Sequence, residues 1–535
     1  MANSFATRLA AALLVACLAT AARAEDEAPQ PSPSPSVQAP GGGQNPSGQT
    51  PSGQKGRGGR GEAGSGANAA ANASTAEQHR LPPDSTTKQS VALPGRTLNF
   101  SATAGSIRVF DDKGEPLADI AYTSYQLDGA EKANRPVTFL FNGGPGSASA
   151  WLQFGNVGPW RLPFDGDGAV SSAPPELQAN ADTWLDFTDL VFIDPVGTGY
   201  SRFVTTSEDA RKRFFTVDGD ANSVALVIRR WLEKYDRLTS PKYVTGESYG
   251  GIRGPKVVRN LQMQQGVGVR GLILISPVLD FRDYAGSSIL QYVASLPTMA
   301  AVARQAKGPV TREDLADVES YARGDFLLDL VKGQADTEAT TRLADKVANL
   351  TGIDQAVSRR LAGRFDIGEF RREFDRKNGK VTGRYDASVE GFDPYPDSSY
   401  FRFNDPSGDP LMAPLTSAAV DLTTRRLNWR PDGSYHLLSE TVNKGWEFGH
   451  GINPAESVTQ LRQMLALDPK MRLLVGHGLF DLATPYFASR IILDQLPAFA
   501  GPSRTKLAVY PGGHMFYSRD GSRQAFRKEV EALVK

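Results

Sequence analysis

Lys242-Tyr243-Val244-Thr245-Gly246-Glu247-Ser248-Tyr249-Gly250 carries the strongest fold signal in the chain. Its first four residues are β-like, and Pro255-Lys256-Val257-Val258-Arg259-Asn260-Leu261 a few positions on reads as helix. Between them lies the pattern G-x-S-x-G. A chain that enters this pentapeptide as a strand and leaves it as a helix must turn sharply. The serine at the apex then sits on a tight, strained turn. Glycines two residues to either side leave room for the backbones that crowd it. On its own the pattern is weak, because glycine and serine are common in ordinary turns, so its weight depends on what surrounds it.

Outward from that turn, short runs that are apolar on both faces recur. They are Val137-Thr138-Phe139-Leu140-Phe141, Leu190-Val191-Phe192-Ile193, Leu272-Ile273-Leu274-Ile275-Ser276 and Arg472-Leu473-Leu474-Val475. Lys506-Leu507-Ala508-Val509-Tyr510 closes the set. Such runs suit the buried middle of a mostly parallel sheet. Helical segments, among them Asn222 to Tyr235 and Ala488 to Leu496, separate several of them, and this alternation predicts an α/β sandwich around a central sheet. Earlier, Ser106 to Phe110 and Ala118 to Tyr125 flank an Asp/Lys/Gly turn and read as an antiparallel hairpin at a sheet edge. From about Arg282 to His450 the strand pattern disappears. Asp336 can cap a helix in which Leu343, Val347 and Leu350 recur at helical spacing, with Gly352 just past its end. Thr311 to Val331 reads likewise, and a loop-rich stretch follows from about Tyr385. This region is expected to be a largely helical insertion over the catalytic edge of the sheet, able to act as a lid.

A serine hydroxyl is a poor nucleophile until an imidazole accepts its proton and a carboxylate holds that imidazole in place. The chain has only five histidines. His79 lies in or beside a polar tail, and His436 and His450 fall in or next to the insertion. With the order serine, acid, histidine, His514 in Pro511-Gly512-Gly513-His514-Met515 follows the last strand. Asp481, in Gly476-His477-Gly478-Leu479-Phe480-Asp481, follows the strand before it. His477 precedes the acid and reads as support for its loop. The attack also needs donors for the oxyanion. Asn142-Gly143-Gly144-Pro145-Gly146 directly follows a strand and can present backbone N–H groups, those of Gly144 and of Tyr249 forming the pair. No phosphate-binding G-x-x-x-x-G-K-[ST] occurs. Ser248, Asp481 and His514, each just after a strand, predict an α/β-hydrolase fold.

Composition bounds the rest. The 535 residues carry 59 basic and 59 acidic side chains, so charge points to no nucleic-acid partner. Arg8, the apolar run Leu9 to Leu18 and the site Ala22-Arg23-Ala24 read as a secretory leader over residues 1–24, since the run is shorter than the roughly 20 residues that span a bilayer. Leu14-Val15-Ala16-Cys17 also resembles a lipobox, which would leave Cys17 as a lipidated first residue; cleavage after Ala24 is the favoured reading. The mature chain then has no transmembrane segment. Residues 25–81 are poor in large apolar side chains and are expected to be a disordered tether, with the folded body over 82–535. Cys17 is the only cysteine, which excludes an intramolecular disulfide, thiolate metal sites and cysteine catalysis in the body. No metal or organic cofactor is expected, and the sequence leaves the oligomeric state open.

Four blocks, in order, resemble the serine carboxypeptidases, peptidase family S10: Asn142 to Gly146, Ile193-Asp194-Pro195-Val196-Gly197-Thr198-Gly199-Tyr200-Ser201, Gly246 to Gly251, and Gly513-His514-Met515. The resemblance implies an exported bacterial member acting on peptides. Ser248, Asp481 and His514 would be its triad, and Gly144 and Tyr249 its oxyanion donors. Asn142, the Gly143 backbone and a protonated Glu247 would bind the peptide's terminal carboxylate. Because that glutamate must hold its proton, activity in acid is expected. Plant proteins resembling the family move acyl groups, so an esterase or acyltransferase remains the alternative, with a non-catalytic periplasmic binding protein as the least favoured. Three departures stand out. A second glutamate usual in the family is replaced, on a count without gaps, by Asn156, which is expected to offset that loss by donating a hydrogen bond and to join Asn142, Gly143 and Glu247 in binding the substrate carboxylate. A usual cysteine is Ser147, and a Pro-containing block after the histidine is replaced by Phe516-Tyr517.

Overall fold

The computed structural model of the chain describes residues 80–164, 170–172, 174, 176–284, 286–398, 405–449 and 454–535. The expected leader and nearly all of the expected tether, with Cys17 and His79, lie outside the described residues, as does His450. Leu81, which composition assigns to the tether, is buried in the core, and its N–H donates to the Asp119 carboxylate at 3.0 Å.

Among the described residues the central sheet has ten strands, nine of them in one path: β1 (Ser85–Leu93), β2 (Arg96–Phe110), β3 (Pro116–Leu127), β4 (Val137–Phe141), β5 (Asp189–Ile193), β6 (Lys242–Glu247), β7 (Gly271–Ile275), β8 (Arg472–Gly478) and β9 (Thr505–Tyr510). Their order is β1-β2-β3-β5-β4-β6-β7-β8-β9, and the short Arg202–Phe203 pair adds to β3. The strands from β5 to β9 run parallel, and the first three form an antiparallel extension. All five residues of β4, β5 and β7 are buried. On β7, Leu272 and Leu274 pack into one apolar cluster with Val257, Val258 and Leu261 of a helix. Ile273 and Ile275 pack into another with Phe526 and Val530 of the C-terminal helix Asp520–Val534. Alternate side chains of one strand thus face helices on opposite sides, which is why the strand reads as continuously apolar.

The expected hairpin forms but does not lie at the edge. β1 covers β2 in register from Ser85 opposite Ala104 to Leu93 opposite Arg96. Its outward positions are exposed, so Ser85-Thr86-Thr87-Lys88-Gln89-Ser90 carries little apolar pattern. The loop is Pro94-Gly95, with Gly95 at φ 73°, a conformation that a Pro-Gly turn favours.

The insertion is helical from Leu290–Gln305 through Ile367–Glu373. The Asp336 carboxylate accepts the Ala339 N–H at 2.9 Å, and Gly352 ends that helix at φ 72°, as the sequence indicates. Thr311 to Val331 is not one helix: it divides at Gly324 into Ala316–Arg323 and Asp325–Lys332. The region is not free of strands either, since Lys380–Thr382 and Glu390–Phe392 form a small hairpin. Beyond it the helix Met412–Asp421 buries Leu415 and Ala419 in the main core. Leu343 and Val347 share a cluster with Leu479, Phe480 and Leu482, so the insertion is built onto the loop that carries Asp481.

Candidate active site

β6 delivers Glu247 and then Ser248, whose φ of 61° is the left-handed conformation expected of a strained turn. The helix Gly250–Met263 starts at once. Neighbouring backbone fixes the turn: Ser248 N–H donates to Ile275 O at 3.0 Å, and Ser248 O accepts Gly251 N–H at 2.8 Å and Val278 N–H at 3.1 Å. A methyl group on Gly246 would lie 2.5 Å from Gly250 O, and one on Gly251 would lie 2.3 Å from Val278 O. At Gly250 it would meet nothing closer than 3.6 Å, so crowding demands glycine at Gly251 rather than at the second glycine of the pentapeptide.

The loops after β8 and β9 bring Asp481 and His514 together. Asp481 Oδ2 lies 2.7 Å from His514 Nδ1, and both side chains are buried. The N–H groups of Ala483 and Thr484 donate to Asp481 Oδ1 at 2.8 and 2.9 Å, and the Thr484 hydroxyl lies 2.7 Å from Oδ2. With Nδ1–H directed at the carboxylate, Nε2 is the imidazole nitrogen left for a serine hydroxyl. Burial opposes a charge on His514, but the facing Asp481 outweighs it, aided by Glu247, and the imidazole is held above its ordinary pKa. Ser248 and His514 line one cleft. His477 is elsewhere: it is buried on β8 with Nε2 2.8 Å from the Ser489 hydroxyl, and burial pushes its pKa down to about 4.

The Asn142–Gly146 loop lies directly against the elbow. A methyl group on Gly143 would sit 2.4 Å from Tyr249 N and 2.6 Å from Glu247 O, so only glycine permits the approach. Gly144 lines the cleft beside Ser248, and Gly144, Ser248 and Tyr249 also line the adjoining one. The loop is tied from behind. Arg253, fully buried, donates to the Asn142 carbonyl and pairs with Asp220 at 2.6 Å.

Glu247 is buried beside Ser248. Its Oε1 accepts Asn142 Nδ2–H at 2.8 Å and its Oε2 accepts the Tyr517 hydroxyl at 2.8 Å. Burial pushes its carboxyl up to about 7 against the opposing pull of His514 and these hydrogen bonds. The expectation for Asn156 is not met. Its side chain is buried on the π-helical turn Gln153–Val157, neither its nitrogen nor its oxygen forms a hydrogen bond, and it does not line the cleft. Tyr517 occupies the second oxygen of Glu247 instead.

Trp151, Met412 and Met515 give the cleft apolar lining, and Phe281 and Tyr284 line the adjoining pocket. Tyr385, from the insertion, borders both. Its carbonyl accepts His514 N–H at 2.5 Å and its ring lies 5.1 Å from the imidazole. Tyr517, Tyr385, Thr484 and the Asp220–Arg253 pair were not found by sequence reasoning. Only Tyr517 left a signal, as an unexplained departure after His514. Among the described residues no group of three or more His, Cys, Asp and Glu side chains could hold a metal ion, and no helix is long and apolar enough to cross a membrane.

Together the sheet and the elbow, with Asp481 and His514 on consecutive strand ends, define an α/β-hydrolase fold. A model of the serine carboxypeptidase family, Peptidase_S10, matches residues 94–305. The chain is similar to the pheromone-processing carboxypeptidase KEX1 of Leptosphaeria maculans, 32% identical over 165 residues, which are 28% of this chain and 24% of that one. It is also similar to serine carboxypeptidase-like 42 of Arabidopsis thaliana, 32% identical over 172 residues, or 31% and 33% of the two chains. The chain thus spans about a quarter to a third of the length of these relatives. Across the fold, the crystal structure of the Saccharomyces cerevisiae prohormone-processing carboxypeptidase KEX1(DELTA)P aligns with a TM-score of 0.54 at 15% identity, covering 81% of this chain and 91% of that one.

Proposed function

We propose that this protein is an exported serine carboxypeptidase that releases the C-terminal residue of peptides. The observation that carries the reading is the meeting of three features in one cleft: Ser248 on its strained turn, the His514–Asp481 pair, and a buried glutamate held close to neutral by its surroundings. Ser248 Oγ attacks the carbonyl carbon of the last peptide bond while His514 Nε2 takes its proton. The oxyanion is held by Gly144 and Tyr249 N–H. His514 then passes the proton to the departing nitrogen, the C–N bond breaks, and an acyl-Ser248 ester remains. Water, deprotonated by His514, hydrolyses that ester. Asn142, the Gly143 backbone and protonated Glu247 bind the terminal carboxylate, as a neutral acid and an amide can without a cation. No metal or organic cofactor enters these steps.

The relatives' names and the family match support a peptide substrate. The leader at residues 1–24 supports export, with Ala24 as the cleavage point and lipidation at Cys17 as the alternative that an N-terminal mass would reveal. A fluorophosphonate should label the purified protein at Ser248 and leave Ser248→Ala unlabelled. The labelled protein should release no amino acid from a blocked dipeptide. Labelling together with hydrolysis of esters but no peptide would move the reading to an esterase or acyltransferase.

A further inference from the structure

The hydrogen bonds around Glu247 determine where its proton resides. Leu152 N–H can only donate, and it donates to Asn142 Oδ1 at 3.0 Å, which fixes the orientation of that amide. Asn142 Nδ2 therefore faces Glu247, and it too can only donate, to Oε1 at 2.8 Å. In the free site Asn142 offers a proton on Oε1 no acceptor, whereas a proton on Oε2 has one in the Tyr517 hydroxyl, so the proton of neutral Glu247 is favoured on Oε2. That oxygen lies 2.8 Å from the Tyr517 hydroxyl, the one partner that can either donate or accept. Tyr517 is itself closely packed. It is fully buried on the turn Phe516–Ser518, its carbonyl accepts Arg523 Nη1–H at 3.1 Å, and Gly155 lies so close that an added methyl group would be 2.8 Å from its ring.

We propose that Tyr517 is a positioning residue that holds the Glu247 proton on Oε2, ready to be offered to the terminal carboxylate of a peptide. This rests on the carboxypeptidase reading above. With no substrate bound, the Tyr517 hydroxyl can accept the Oε2 proton. When a carboxylate arrives, Tyr517 rotates its own hydrogen onto Oε2 and the Glu247 proton turns to the substrate. No bond to a heavy atom changes, and the proton stays on Glu247. Two carboxyl groups can share this space only with a proton between them, so its placement sets the strength of recognition. Facing Glu247 are Asn142 from the loop after β4, Asp481 from that after β8, and His514 and Tyr517 from that after β9; of these His514 favours the ionised carboxyl and Asp481 opposes it.

The test compares the wild type, Tyr517→Phe, Glu247→Gln and the double variant on a blocked dipeptide and its C-terminal amide from pH 5 to 8. Tyr517→Phe keeps the ring, and fluorophosphonate labelling reports whether its site is assembled. The expected result is a KM for the acid, relative to the amide, raised about tenfold at pH 5.5, the loss typical of one hydrogen bond in a charged site. Because the Tyr517 hydroxyl also favours ionised Glu247, the pH at which acid binding fails should move upward in Tyr517→Phe. In the Glu247→Gln background the change should have less than about a twofold effect on that ratio. An unchanged ratio, or an equal loss with and without Glu247, would overturn the assignment. A wild type that treats acid and amide alike would instead sink the carboxypeptidase reading, and the assignment with it.

Discussion

Glu247 and His514 line one cleft with Ser248, and each acts on the other's protonation. In the proposed mechanism attack needs a neutral imidazole, whereas carboxylate recognition needs a neutral glutamate. The competent pair has the same net charge as the idle pair of glutamate and imidazolium. Glu247 is raised to about 7, so recognition is complete well below that pH and is lost as pH rises through it. His514 is raised above its ordinary value, so the base is lost as pH falls through its own pKa. For a peptide with a free terminus, kcat/KM should be bell-shaped, its alkaline limb set by Glu247. The amide of the same peptide should keep the acid limb and lose the alkaline one. A pH series on both substrates checks this, and an alkaline limb shared by the two would count against Glu247. At the oxyanion loop, Gly143→Ala places a methyl group 2.4 Å from Tyr249 N. Displacing one oxyanion donor should lower kcat about a hundredfold with the protein still folded, measurable by steady-state kinetics beside a melting curve.

The residues of the proposed triad were legible because each stands at the end of an apolar strand, where sequence position translates directly into place. Asn156 was not, for a physical reason. The turn Gln153–Val157 is π-helical, closed by Gly158 N–H on Gln153 O at 3.0 Å. A gapless count gives a place along the chain and not the direction in which a side chain on such a turn points. Tyr517 lies on a single short turn with no periodicity to reveal where it points.

Among the elements, the helix Val217–Lys234 and the helix after Ser248 meet through Asp220 and Arg253, both buried, and Arg253 then holds the Asn142 carbonyl. Removing one member of a buried pair strands the other charge, so Asp220→Ala should cost about 3–5 kcal/mol, read as a lowered denaturation midpoint. Because Arg253 would lose its anchor, kcat should fall as well, which a purely structural pair would not require. Strands β4, β5 and β7 were readable since burial on both faces makes them apolar almost throughout, whereas the half-buried edge strand β9 was readable from its β-rich run alone. β1 was missed because an edge strand with one exposed face looks like a polar loop. The helix Met412–Asp421 was taken as loop because its run of small and apolar residues has no polar face to set a period.

At the scale of the whole molecule, the insertion and the sheet share their interior. Leu479, Phe480 and Leu482, around Asp481, belong to the insertion's core, and Tyr385 spans the cleft to His514. A loosened insertion should therefore disturb the acid and base before it unfolds the sheet. Burial also raises Asp194, whose Oδ1 accepts Ser149 N–H at 2.8 Å, to about 7. The folded chain binds that proton between the ordinary carboxylate range and about pH 7 while the unfolded chain does not, so its stabilising effect is lost as pH rises through 7. Asp194→Asn keeps the acceptor without the charge. It should raise the melting temperature at pH 8 by at least roughly 2 °C more than at pH 5, and a reversed difference would contradict the assignment.

The most direct measurement is release of the terminal amino acid from a blocked dipeptide and from its C-terminal amide, by the mature protein and by Ser248→Ala, near pH 6. The account predicts rapid release from the free acid, much slower release from the amide, and loss of both in the variant by at least about a thousandfold. Equal turnover of acid and amide, or release that survives in Ser248→Ala, would contradict it.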